Sequence, residues 1–510
     1  MAFKISLLWS NPDINSVSSK ARSIPVLNPL NIYGRVFLLS WFGFFIAFWS
    51  WYAFPPLLTV TIKNDLNLSH ADIANSNILG LVATLLVRLG AGSACDRFGP
   101  RWTFATILLI GAIPTALAGT VTTPAGVIAV RFFVGILGGS FIPCQVWTTG
   151  FFDRNVVGTA NSLTAGLGNA GSGVTYFVMP AIVNSLVQYQ DLSPHVAWRV
   201  SFVIPFILIT LTAVVMILTC PDTPTGSWSS RSRDMQRHLD MRDTFFTTMG
   251  NRSDNHAASL DSRSLSNNDT VKLNTQRIGS ATYGANTQED ELLAAASWEL
   301  VEKPTYHSTA KAIFSLPTWT LILLYFGTFG TELAVNSILG AFYQKNFAYL
   351  GETGSGNWAA MFGLLNAVFR PAGGIISDVM YKMTGSLWGK KVLSHTLAIL
   401  TGAMLLLIGL LDTEHLPTMV GLHVLLAFFE EAANGSCFAL VPHVHPTSNG
   451  LITGVTGAAG DLGGILFLLI ARYSGVDYGR VYWLIGVIVI AVNVLVIWIR
   501  PIPKGQLGGR

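Results

Sequence analysis

Roughly twelve apolar stretches, each about 20 residues long, constrain this 510-residue chain more than any other feature. They lie near 34–56, 73–94, 102–123, 125–147, 159–183, 197–220, 318–344, 357–380, 391–411, 416–441, 450–472 and 479–499. A stretch of that length, wound as a helix rising about 1.5 Å per residue, crosses the ~30 Å hydrocarbon core of a bilayer. Lipid offers no hydrogen bonds, so the backbone must satisfy itself, and runs of this kind do so as α-helices. Only 11% of residues are charged, against about 25% in soluble domains. The expectation is an all-α membrane protein with twelve transmembrane helices. It is expected to be no enzyme and to need no cofactor, metal or nucleic acid.

Two of the stretches carry an arginine in mid-run, and the residues around the two repeat. Arg88 sits in Leu81–Asp96 and Arg370 in Gly363–Asp378. Each has a glycine four residues on (Gly92, Gly374), an aspartate eight residues on (Asp96, Asp378) and a small polar residue four before (Thr84, Asn366). An arginine keeps its proton at any useful pH, and placing one at bilayer depth costs about 2.5–3.5 kcal/mol. Each of the two cations either snorkels to an interface or pairs with a nearby carboxylate, or the two face a shared anion, gripped by the charge-assisted bonds that a guanidinium makes to an oxyanion; their equivalent places favour the shared anion.

A second repeat relates Ala165–Gly173 to Thr456–Gly464: Gly168 matches Gly460, Gly171 matches Gly463, and Asn169 matches Asp461. The second run thus corresponds to the eighth and the fifth to the eleventh. Parallel repeats of six helices, related by an axis along the membrane normal, build transporters that bind substrate near the midplane between two bundles. Most of the glycines are expected simply to let helices approach, while Asn169 presents an amide where little side chain covers the backbone. Between the halves, residues 221–311 turn rich in Ser, Asn, Asp, Thr and Arg, a composition that cannot bury enough apolar surface to fold. The expected organisation is a cytoplasmic segment over 1–33, a six-helix bundle over 34–220, a flexible cytoplasmic linker over 221–311 with a short helix around 289–300, a second bundle over 312–499 and a tail over 500–510.

Basic residues collect on one side of the runs: Lys4, Lys20, Arg22, Arg35, Arg97, Arg101, Arg154, Lys382, Lys390, Lys391, Arg500, Lys504 and Arg510. By the positive-inside rule that side is cytoplasmic, with both termini. No signal peptide is expected. Cys95, Cys144, Cys220 and Cys437 show no paired spacing and read as small apolar residues. Glu332, Glu430 and Glu431 are further ionisable groups in apolar runs. Neighbours on a helix point about 100° apart, so Glu430 and Glu431 are not expected to face one cavity together. Each is a candidate for relaying a proton or for holding a bundle contact.

Gly92–Arg101 resembles the loop between the second and third helices of the major facilitator superfamily, and Arg131–Gly139 resembles its fourth-helix motif. Ala165–Gly171 resembles the nitrate signature of the nitrate/nitrite porter family, Thr456–Gly464 resembles the second copy, and the long linker is similar to that of fungal high-affinity nitrate transporters. The resemblance implies the major facilitator fold, with two six-helix bundles. It also implies that Arg88 and Arg370 grip nitrate or nitrite with Asn169 and Thr84 nearby, and that aromatic residues surround the anion, here Tyr325, Phe329 and Phe48. Asp96, Arg97 and Arg101, at the membrane boundary, are expected to form an inner-face gate or helix-end lock, and Arg131 is expected to have a gate or structural role.

One position departs from the family. The second signature usually carries asparagine where this chain has Asp461. A carboxylate there would repel the anion, bind a proton, or pair with Arg370 in the empty site. Import of an anion into a cell that is negative inside costs about 2.3 kcal/mol per 100 mV, so cations must accompany it. The sequence has no GxxxxGK[ST] loop, and the resemblance implies proton symport by a monomer in the plasma membrane. Exchange of nitrate for nitrite, and a nutrient sensor on a transporter fold, remain the alternatives.

Overall fold

The computed structural model describes residues 8–15, 18–58, 61–229 and 306–503. Most of the 221–311 segment, the helix expected around 289–300 and residues 504–510 lie outside the described residues. Among the described residues, twelve helices are long and apolar enough to cross a bilayer: α1 (Ile32–Leu58), α2 (Ala71–Phe98), α3 (Pro100–Thr120), α4 (Pro124–Phe151), α5 (Val157–Tyr189), α6 (Pro194–Thr219), α7 (Leu316–Asn346), α8 (Gly354–Thr384), α9 (Leu387–Leu411), α10 (Leu416–Val444), α11 (Pro446–Ser474) and α12 (Tyr478–Val496).

Local signals set where these helices begin and end. Ser69 and Asp72 form a capping box before α2, the Ser69 hydroxyl accepting from the Asp72 amide and the Asp72 carboxylate from the Ser69 amide. Proline stands at the first positions of α3, α4, α6, α7 and α10, where its missing N–H costs nothing. A 3₁₀ turn over Gly135–Ser140 interrupts α4 and brings Phe141 to the centre of the molecule. Large apolar side chains such as Leu86, Ile113, Phe133, Leu218, Val368 and Leu410 point outward, as a lipid-facing surface requires.

The helices form two six-helix bundles that meet along two seams, α2 against α11 and α5 against α8. The repeat read in the sequence is the symmetry of these seams, because each pairs one member of the arginine repeat with one of the glycine repeat. At the face where α1 begins and α12 ends, an aspartate closes each seam. The Asp96 carboxylate accepts from the Gly450 and Leu451 amides, at 3.0 and 2.9 Å, in the first turn of α11. The Asp378 carboxylate accepts from the Thr159 amide at 2.7 Å and the Thr159 hydroxyl at 2.8 Å in the first turn of α5. Both anions sit on exposed N–H groups at the positive end of a helix. Glycine makes the approach feasible: a Cβ on Gly450 would lie 2.5 Å from Asp96 Oδ1, and one on Gly158 would lie 2.3 Å from Asp378 Oδ1.

Two lysines counted as membrane-surface charges are in fact buried in the second bundle. Lys390 donates to Asp378 at 2.8 Å. Lys391 donates to the carbonyls of Val496, Ile497 and Ile499, where α12 runs out of its own amides.

Candidate substrate site

Arg88 and Arg370 are fully buried at matching depths of α2 and α8. Both face one ring. The Arg88 guanidinium carbon lies 5.0 Å from the Phe329 centroid and that of Arg370 lies 5.6 Å from it, so a single phenyl group of α7 spaces a cation from each bundle. Tyr325 stacks on Phe329 at 4.8 Å, Phe141 runs nearly parallel to both at 6.4 Å, and Phe438 meets Phe141 and Tyr325 edge-on at 4.7 and 4.9 Å. Tyr325 and Phe329 thus stand beside the arginines. Phe48 does not join these rings; it packs on Phe44 at 4.4 Å, and Phe44 is the α1 ring that touches Phe141.

The two guanidiniums are held differently. Arg88 reaches across the seam: its Nε donates to the Gly138 carbonyl at 3.0 Å, and its Nη1 donates to the Gly457 carbonyl of α11 at 3.1 Å and lies 3.0 Å from Asp461 Oδ1. The pairing of Asp461 with Arg370 is therefore corrected, since its partner is Arg88. Across a two-fold-like seam, a residue of α11 faces α2, not the α8 of its own bundle. Arg370 instead binds acids of its own bundle. Its Nη2 donates to Glu332 and its Nε to Asn366 Oδ1 at 2.8 Å, with Glu431 Oε2 at 3.5 Å.

A second correction concerns the glutamates. Carboxylate oxygens of Glu332, Glu430 and Glu431 lie within 4.8 Å of one another, all buried, so Glu430 and Glu431 do converge. The 100° between them is bridged by two amides. Asn434, one turn beyond Glu430, donates from Nδ2 to Glu430 and, at 3.0 Å, to Glu332, while Asn366 Nδ2 donates to Glu431 and, at 3.0 Å, to Glu332.

The Asn169 amide donates to the Ala165 carbonyl at 3.0 Å, while its Oδ1 is buried without a hydrogen-bond partner, as is Arg370 Nη1. By the repeat, Asn169 and Arg370 are the counterparts of Asp461 and Arg88. The Thr84 hydroxyl is engaged by the Gly80 and Gly135 carbonyls and by the Trp51 indole, which fixes α2 to α4 and α1. Arg131 donates to the Trp51 carbonyl at 2.6 Å and to Asn77 at 2.8 Å within the first bundle. Arg101 pairs with Asp222 at 2.6 Å and tightens the end of α6, and Arg97 lies exposed with its guanidinium over Phe98.

Sequence reasoning missed Asn434, Phe141, Phe438 and the lock formed by Asp378 on Thr159. The repeat carried the signal for Asp378, since it is the counterpart of Asp96, and the four-residue spacing from Glu430 carried one for Asn434. Nothing marked Phe141 or Phe438 among 30 phenylalanines.

Residues 40–468 match the Major Facilitator Superfamily. The chain is 36% identical to Elsinochrome transporter 1 of Elsinoe fawcettii, over 99% of this chain and 100% of that protein. It is 30% identical to High affinity nitrate transporter 2.7 of Arabidopsis thaliana, over 87% of this chain and 78% of that one. It is 26% identical to the Nitrate/nitrite transporter NrtP of Nostoc punctiforme, over 92% and 93%. Among solved structures, the proton:xylose symporter XylE superposes with a TM-score of 0.60 at 14% identity, covering 90% of this chain and 94% of that one.

Proposed function

The chain belongs to the Major Facilitator Superfamily, and from that premise we propose that it imports nitrate, and nitrite with it, by proton symport. The carrying observation is the pair of buried guanidiniums, one from each bundle, at the single ring of Phe329. A planar anion between them would bind both bundles at once, and alternating access follows from rocking the bundles about that point. Relatives named as nitrate transporters support the choice of anion. The charged face where α1 begins and α12 ends is then cytoplasmic, and the carrier acts as a monomer in the plasma membrane.

Purified protein in liposomes, with pH gradient and voltage set separately, tests the reading. Labelled nitrate is expected to accumulate against its gradient when protons are driven inward, with nitrite competing. Failure of both anions to accumulate would sink it.

A second reading rests on a specific observation. Both arginines already hold carboxylates, and three parallel rings line the site. That arrangement also accommodates a larger flat aromatic substrate, and one relative is named for elsinochrome. Stacking such a ring on an aromatic side chain is worth about 0.5–1.5 kcal/mol per pair beyond area burial.

Asp461→Asn tests the anion reading. Removing the carboxylate that sits 3.0 Å from Arg88 strengthens the field available to an anion, and about 1.4 kcal/mol of regained attraction gives roughly tenfold tighter nitrate binding. Titration of wild type and variant with nitrate checks this. A fall in affinity with an unchanged pH profile would leave Asp461 a structural residue.

A further inference from the structure

We propose that the triad Glu332, Glu430 and Glu431 is a proton-binding site that holds two protons, with the exchangeable one on Glu430 Oε2. The inference rests on the reading of the chain as a proton-coupled carrier and adds to it the group that does the coupling.

Charge balance comes first. Three buried carboxylates within 4.8 Å of one another face one guanidinium, that of Arg370. Ionised together they would leave two uncompensated negative charges in the bilayer core, and carboxylates this close do not ionise together. Two protons make the cluster neutral. The other charged groups near it are Arg88 of α2 and Asp461 of α11, beyond Phe329, and these pair with each other. Tyr325 of α7 contributes only a hydroxyl.

Hydrogen bonding then locates the protons. Both oxygens of Glu332 accept, Oε1 from Asn366 and Oε2 from Arg370 and Asn434, as suits an ionised carboxylate. Glu431 accepts from Asn366 at Oε1, while its Oε2 has only the 3.5 Å contact to Arg370 Nε, the longest in the cluster, and carries the second proton. Glu430 accepts from Asn434 at Oε1, and its Oε2 is fully buried with no hydrogen-bond partner. An oxygen without a donor is where a carboxylic acid carries its own hydrogen. Arg370 Nε donates to Asn366 Oδ1, which turns the Asn366 Nδ2 group toward the acids. N–H donors therefore occupy lone pairs that a metal cation would need, and the geometry favours protons over sodium.

The cluster shares Arg370 with the anion, which gives the coupling. An anion that takes the Arg370 guanidinium withdraws it from Glu332 and Glu431. The triad then keeps its two protons until the anion leaves. On release the guanidinium returns, and Glu430 gives up its proton to water on the side that is open.

Two measurements test this. Infrared spectra of the full-length protein in lipid near neutral pH are expected to show the carbonyl band of a protonated carboxylic acid. Glu430→Gln should remove part of that band, and Glu430→Asp should restore it at a shifted position. In liposomes under a one-unit inward pH gradient, each coupled proton supports about tenfold accumulation. Glu430→Gln should therefore accumulate nitrate about tenfold less than wild type while still exchanging labelled for unlabelled nitrate. A wild-type spectrum without the band, a variant spectrum unchanged from it, full proton-driven accumulation by the variant, or accumulation driven by sodium each overturns the proposal. Wild-type protein that moves nitrate without protons overturns the symport reading, and the infrared band then decides separately whether Glu430 holds a proton.

Discussion

Lysine in place of Arg88 or Arg370 is expected to weaken anion binding by about 10- to 100-fold while the protein still reaches the membrane and folds. The charge survives the change, but the planar fork does not. Arg88 uses Nε on Gly138 and Nη1 on Gly457 to hold its plane toward Phe329, and an ammonium on a flexible stem cannot make those bonds and grip an anion together. Each charge-assisted hydrogen bond lost costs about 1.5–3 kcal/mol, which sets the size of the effect. Arg370→Lys should be the more severe, because it also disturbs the contacts to Glu332, Asn366 and Glu431. Nitrate titration of variants that elute as monodisperse protein checks both. Near-normal affinity in either variant would remove the paired-fork site.

Much of this architecture was legible because bilayer solvation leaves long apolar runs one conformation, and because a duplicated sequence announces its own symmetry. Arg88 and Arg370 were marked by a costly charge and Tyr325 and Phe329 by a resemblance, and the four stand together. What the sequence hid depends on tertiary position. Which arginine Asp461 meets is decided by the seam between α2 and α11, and no local pattern encodes a seam. The convergence of Glu430 and Glu431 was missed because helical geometry describes where Cβ atoms point. It does not describe where long side chains end once Asn366 and Asn434 draw them in.

The two aspartate locks should control which side the carrier opens to. Asp96 and Asp378 each place a carboxylate on the first-turn amides of a helix in the opposite bundle, a contact worth up to about 2 kcal/mol in partly buried geometry. Losing one should shift the balance between forms closed and open at the face of the two aspartates by about tenfold to thirtyfold. Losing both should shift it several hundredfold, since the seams are separate and their effects add. Asparagine is the suitable replacement, because it keeps the shape and leaves Lys390 its bond to the Ala439 carbonyl. Distances between spin labels at the aspartate-bearing ends of the α5–α8 and α2–α11 seams should lengthen in Asp96→Asn with Asp378→Asn. Unchanged distance distributions in the double variant would show that the locks are ornamental.

Gly158 and Gly450 leave the carboxylates of Asp378 and Asp96 less clearance than a methyl group occupies. The surfaces that must slide past each other during transport are therefore smooth at these points, with no side chain to climb over. A seam built that way moves easily but is also easy to jam. Any small wedge delivered there, whether a methyl group added by substitution or the tip of a bound inhibitor, would hold the carrier on one side of its cycle without touching the arginines. That makes the paired glycines a handle for trapping a single state, and for raising binders that recognise only that state.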